Sequence, residues 1–108
     1  MIDKACVVIT TAPNQEQAKT MARSVLEARL AACAQIQAIQ SLYWWDGKIA
    51  EDDEHLIMFK TTVDRYSEIE RVILSVHPYE TPEIIQLPVE AGYAKYLSWI
   101  ARETRRPV

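Results

Sequence analysis

The chain has 108 residues, 49% hydrophobic and 25% charged, which supplies enough apolar material for one domain spanning 1–108 and too much for a disordered segment. A formal net charge of −3 with no compensating Lys/Arg run argues against a phosphate-backbone binder, so no nucleic-acid partner is expected. No stretch approaches the ~20 apolar residues that span a bilayer, and the apolar run near the amino end is too short for a secretory core, so the expectation is a cytoplasmic protein with no membrane partner.

Residues Ala5 to Thr11 are rich in β-branched side chains and are broken by Ala12-Pro13-Asn14, which reads as a buried strand and turn. Asn14 with Gln17 three residues later has capping-box spacing. Ala18, Met21, Ala22, Val25 and Leu26 then repeat at helical intervals. From Ala31 to Trp45 the period returns to two, with a slip of phase at Ala38-Ile39 that predicts a β-bulge, because a one-residue slip turns side chains to the wrong face. Asp46-Gly47 is a tight hairpin signal, and the return strand is expected from about Glu54 to Thr62.

The acidic stretch Glu51-Asp52-Asp53-Glu54 lacks the alternating spacing of a calcium loop and reads as a solvated hairpin flank, with His55 an exposed strand residue beside it. Tyr66, Ile69, Val72, Ile73 and Val76 form one face of a second helix, with Thr62 or Asp64 as candidate N-cap and Pro78 as its stop. Glu83 to Val89 reads as a fourth strand, and Pro88 marks it as an edge or a terminus. Beyond Gly92, residues Tyr93, Tyr96, Leu97, Ile100 and Ala101 predict a third helix, followed by a charged tail through Arg105, Arg106, Pro107 and Val108. The order strand, helix, strand, strand, helix, strand, helix predicts an α+β, ferredoxin-like βαββαβ unit with an extra C-terminal helix. Such a unit leaves one sheet face and two edges open, while Leu42, Tyr43, Trp44 and Trp45 crowd a hairpin tip, so self-association is expected.

The connector His77-Pro78-Tyr79-Glu80-Thr81-Pro82-Glu83 packs an imidazole, a phenol and two carboxylates between two prolines, each of which fixes its own φ and pushes the preceding residue toward extended backbone. It is either a stiff display loop for binding or simply a helix stop and strand start with polar residues facing water. Lys60 follows four apolar residues on a central strand and needs a carboxylate or solvent; Glu80 or Glu83 is the expected partner, and an anionic ligand the alternative. Cys6 and Cys33 lie in apolar strands outside any C-x-x-C pair and read as reduced thiols, Cys33 packing among small residues with no cation nearby in sequence. Neither a nucleophile elbow, a phosphate-cradling glycine loop nor an H-E-x-x-H motif occurs, so the chain is not expected to be an enzyme; His77 with Glu80 as base and acid is the one catalytic alternative.

Several phrases resemble the CutA family, named for divalent-cation tolerance. They are Val8-Ile9-Thr10-Thr11-Ala12-Pro13, Leu30-Ala31-Ala32-Cys33-Ala34, Ser41-Leu42-Tyr43-Trp44-Trp45-Asp46-Gly47-Lys48, Lys60-Thr61-Thr62, the heptapeptide from His77 to Glu83, and Tyr96-Leu97-Ser98-Trp99. All six occur in family order and span nearly the whole chain. The resemblance implies a ferredoxin-like subunit in a homotrimer built by strand pairing between neighbours, similar in architecture to PII signalling proteins. It also implies a link to copper and other divalent metals. In some bacterial members a Cys and a His-His pair are named as copper ligands. Those positions fall here on Thr10, Val76 and His77, and only His77 carries a ligating side chain.

The functional expectation is a cytoplasmic homotrimer whose inter-subunit clefts bind a divalent cation, Cu²⁺ among the candidates, or a small anionic effector. The cleft residues expected are Lys60, His77, Tyr79, Glu80, Glu83, Cys33 and Trp45, with His77 the candidate metal ligand. The alternative is a rigid trimeric scaffold for protein partners with no ligand.

Overall fold

The computed structural model describes residues 4–105; the charged tail beyond Arg105 lies outside the described residues. Strand β1 (Ala5–Ala12) leads into helix α1 (Gln15–Glu27), then β2 (Cys33–Trp45), β3 (Lys48–Thr62), a single 3₁₀ turn (Val63–Arg65), α2 (Tyr66–Val76), β4 (Ile84–Pro88) and α3 (Ala94–Glu103). The strands form one sheet in the order β2-β3-β1-β4, antiparallel at every junction. This is the ferredoxin-like α+β order that the sequence predicts, with α3 added.

Alternation along the strands sorts side chains between two faces. Cys6, Val8, Ala12, Ile57 and Phe59 point toward α1 and α2 and join Ala18, Met21, Ala22, Val25, Ile69 and Ile73 in the core. Residues of the other parity, Val7, Ile9, Leu56, Met58 and Lys60, stand on the open face. Helix α3 lies over one end of that face, where its Tyr96 and Trp99 rings stack on each other and the Lys60 ammonium lies 5.9 Å from the Tyr96 ring centroid.

Helix α1 begins where the sequence places it. The Gln17 amide donates to Asn14 Oδ1 at 2.8 Å while Asn14 Nδ2 donates to Gln17 Oε1 at 3.1 Å. It ends with Arg29 in the left-handed region at φ 60°, its N–H on the Leu26 carbonyl and that of Leu30 on Val25, a Schellman close built without glycine. The expected caps of α2 are not used as such: the 3₁₀ turn intervenes, and the Thr62 hydroxyl donates to Asp64 rather than to a helix amide. His77, with φ −76° and ψ 133°, takes the extended backbone its following proline demands and ends α2.

Two sequence expectations are corrected in the hairpin. Asp46 (φ 52°) and Gly47 (φ 77°) form the predicted two-residue turn, but β3 starts at once at Lys48 instead of near Glu54. No bulge interrupts β2 at Ala38-Ile39, since every residue from Cys33 to Trp45 has a partner in an unbroken register with β3. The slip of phase is tolerated because the outer half of the hairpin runs past the helices, where neither face is tied to the core. That projection stretches the molecule to 46 Å along its long axis and raises its radius of gyration to 14.6 Å, against about 13 Å for a compact chain of this length. At its end Leu42, Trp44, Trp45 and Ile49 are 60–74% exposed.

Candidate functional site

The heptapeptide is fixed to the sheet by two side chains at its start. His77 Nε2 lies 2.7 Å from the Thr11 carbonyl oxygen, and its Nδ1 accepts the Tyr79 amide at 3.1 Å. An N–H donor and a carbonyl acceptor on opposite sides of one ring define the Nε2–H tautomer. The Tyr79 ring packs against the imidazole with centroids 4.8 Å apart, and its hydroxyl donates to Glu54 Oε2 at 2.8 Å.

Glu54 is 8% exposed, so its carboxylate depends on that donor. Burial first, and then the Glu54 carboxylate that accepts from it, pushes the Tyr79 phenol far above the ordinary tyrosine range. Two residues away along the same face, the Tyr43 hydroxyl donates to Asp52, and that bond raises the Tyr43 phenol as well. Sequence reasoning placed the whole acidic stretch in solvent, which holds for Glu51, Asp52 and Asp53 but not for Glu54; it also missed the Asp52 contact with Tyr43, and His55, expected exposed, is half-buried. Parity supplies the signal for Glu54 and Asp52: both lie an even number of residues before Leu56 and Lys60, on the open face.

The expected cleft residues fall into three places within one subunit. His77 and Tyr79 meet at the Thr11–Glu54 end, where Glu80 and Glu83 are exposed on the same loop. Cys33 and Lys60 face each other across β2 and β3, six residues along β3 from Glu54, which is about 20 Å of strand. Lys60 Nζ donates to Gln35 Oε1 at 2.7 Å, so the expected ion pair with Glu80 or Glu83 is replaced by an amide and an aromatic face. The cation that sequence did not place near Cys33 is therefore its cross-strand neighbour. Trp45 stands apart again at the hairpin tip, opposite Lys48.

Metal fit is poor within one copy. Among the described residues no three His, Cys, Asp or Glu side chains gather into a metal-binding group, and both nitrogens of His77 already hold hydrogen bonds. Thr10 and Val76, the other two positions at which the resemblance implies copper ligands, are a buried hydroxyl and an exposed apolar side chain. Cys6 lies in the core, where burial first and the Asp64 charge second push its thiol up to about 11.

A four-stranded antiparallel sheet with two helices on one face, a third over the end of the other, and a projecting aromatic hairpin places the chain in the ferredoxin-like class. The family follows from its relatives. A family model described as CutA1 divalent ion tolerance protein matches residues 6–103. The divalent-cation tolerance protein CutA of Thermus thermophilus is 39% identical over 99 residues, covering 91% of this chain and 96% of that one. Protein CutA of Mus musculus is 48% identical over 95 residues, covering 87% of this chain and 54% of that one, so the chain spans about half the length of this relative. The crystal structure of CutA1 from Oryza sativa superposes with a TM-score of 0.93 at 37% identity, covering 98% of both chains. The chain belongs to the CutA1 divalent ion tolerance family.

Proposed function

We propose that this protein acts without catalysis in the cellular response to divalent metal ions, copper among them, as a cytoplasmic homotrimer of PII-like architecture. Its ligand, a divalent cation or a small anionic effector, would sit in clefts between subunits. The observation that carries the reading is the hairpin: a member of a divalent ion tolerance family exposes Leu42, Trp44, Trp45 and Ile49 at the end of a long two-stranded arm. Interfaces favour buried Trp and disfavour leaving it in water, and an arm projecting beyond its own helices can be covered only by another chain. Assembly would also answer the separation of the site residues. Lys60 with Cys33, the heptapeptide, and Trp45 lie far apart in one copy, and a neighbour's hairpin is the element able to bring Trp45 against another copy's loop.

Because one copy does not gather a cation's donors, Glu80 and Glu83 would need partners from a neighbour, and Lys60 would serve an anion. Calorimetric titration with Cu²⁺ and with Zn²⁺ tests the ligand. Wild type and His77→Ala should give different isotherms, and identical ones would remove His77 from the site.

A second reading is a rigid scaffold for protein partners. It is favoured by the way His77 and Tyr79 spend their polar atoms inside the subunit. It predicts that Glu80→Gln and His77→Ala change neither metal nor metabolite binding.

A further inference from the structure

Among the described residues two buried side-chain atoms have no hydrogen-bond partner, the Thr10 hydroxyl oxygen and His55 Nδ1. Both sit on the helix-facing side of the sheet. Thr10 shares the parity of Val8 and Ala12 on β1, and His55 that of Ile57 and Phe59 on β3, all of them core residues. The register pairs Thr10 with Ile57 and Ala12 with His55, so the two orphaned groups are diagonal neighbours across the central pair of strands. Diagonal neighbours of an antiparallel pair stand roughly 7–8 Å apart at the backbone, with Cβ atoms somewhat closer. One water molecule spans such a gap with two hydrogen bonds of about 2.8 Å each. The diagonal is flanked by Ile57, which faces Thr10, and by Ala12, which faces His55 and whose small side chain leaves room on its own side.

We propose that Thr10 and His55 form an internal binding site for a single water molecule, which bridges β1 to β3 beneath the helices. The water donates to His55 Nδ1 and exchanges a hydrogen bond with the Thr10 hydroxyl, which can both donate and accept. Two buried polar groups that would otherwise be unmatched are the setting in which internal waters are retained. The bridge has a chemical consequence: with Nδ1 accepting, the His55 proton resides on Nε2. His77 is held in the same tautomer by other partners, the Thr11 carbonyl and the Tyr79 amide. Both imidazoles of the chain then have their Nδ1 lone pairs committed inside the fold, and a cation approaching either ring must displace a proton from Nε2.

Imidazole ¹⁵N spectra of the full chain, with water-to-protein cross-relaxation, test the site. The expected result is an unprotonated, hydrogen-bonded Nδ1 on His55, a long-lived water cross-peak at Thr10, and a His55 Nδ1 resonance that moves in Thr10→Val and holds in Thr10→Ser while His77 is unaffected. A protonated His55 Nδ1 would overturn the proposal, as would a His55 resonance indifferent to Thr10→Val, or a crystal structure in which Thr10 Oγ1 bonds His55 directly. If Thr10→Val does not fold, the wild-type spectrum and Thr10→Ser decide.

Discussion

Glu54 and Tyr79 form a buried acceptor and its donor, which makes their contact the most sensitive point of the loop. Tyr79→Phe keeps the ring against His77 but strips the carboxylate of its hydrogen bond, and leaving a buried acceptor unpaired costs about 1–3 kcal/mol. Chemical denaturation of the variant beside wild type measures that loss, and an unchanged midpoint would mean that water replaces the phenol. The same contact sets a pH dependence. Folding raises the Tyr79 phenol above its unfolded value, so its contribution is fully present below about pH 10, the ordinary tyrosine value, and is lost as pH climbs above it. Cys6, raised to about 11, acts with the same sign from about pH 9 upward. Wild type should therefore lose stability across the alkaline range, and Tyr79→Phe should lose less. Cys6 should also resist thiol reagents at neutral pH in the native protein while reacting on unfolding, and fast native labelling at Cys6 would contradict its burial.

At the scale of the element, the hairpin turn rests on a single glycine. Gly47 has φ 77° with open space where a Cβ would go, so Gly47→Ala meets no clash and isolates the backbone cost of the left-handed region, about 1 kcal/mol. A melting temperature unchanged by that substitution would show that the turn relaxes freely. The same hairpin marks where the sequence was legible and where it was not. Asp46-Gly47 located the turn because a two-residue loop with two positive φ values narrows the choice of residues. The length of β3 escaped because Glu51, Asp52 and Asp53 are poor strand formers on intrinsic preference, yet the tight turn brings them into register opposite β2, where the ladder prevails over propensity. The bulge expected at Ala38-Ile39 assumed a buried face along all of β2. Only the half beneath the helices has one. In the loop, two prolines made stiffness and the end of α2 readable, while the partners of His77 and Tyr79 come from β1 and β3, contacts distant in sequence that local pattern does not encode.

For the molecule as a whole, the core explains one face of the sheet and leaves the other half of the design unpartnered. The open face carries Ile85 and Leu87 on edge strand β4, and the hairpin arm presents large apolar side chains on both its sides. The proposed assembly, by covering these in neighbouring copies, would account for the arm's length, for aromatic residues at its end, and for candidate cleft residues that do not meet within one subunit. Trp44→Ser with Trp45→Ser should weaken assembly while leaving the subunit core intact, because neither indole belongs to that core. Size-exclusion profiles across concentration would register the shift, and a double variant that assembles like wild type would place the interface elsewhere. The most direct measurement is native mass spectrometry of the wild-type chain at micromolar concentration. A 12.4 kDa subunit assembled as proposed gives a dominant species near 37 kDa, three times its mass, whereas a spectrum dominated by the 12.4 kDa monomer would contradict the account.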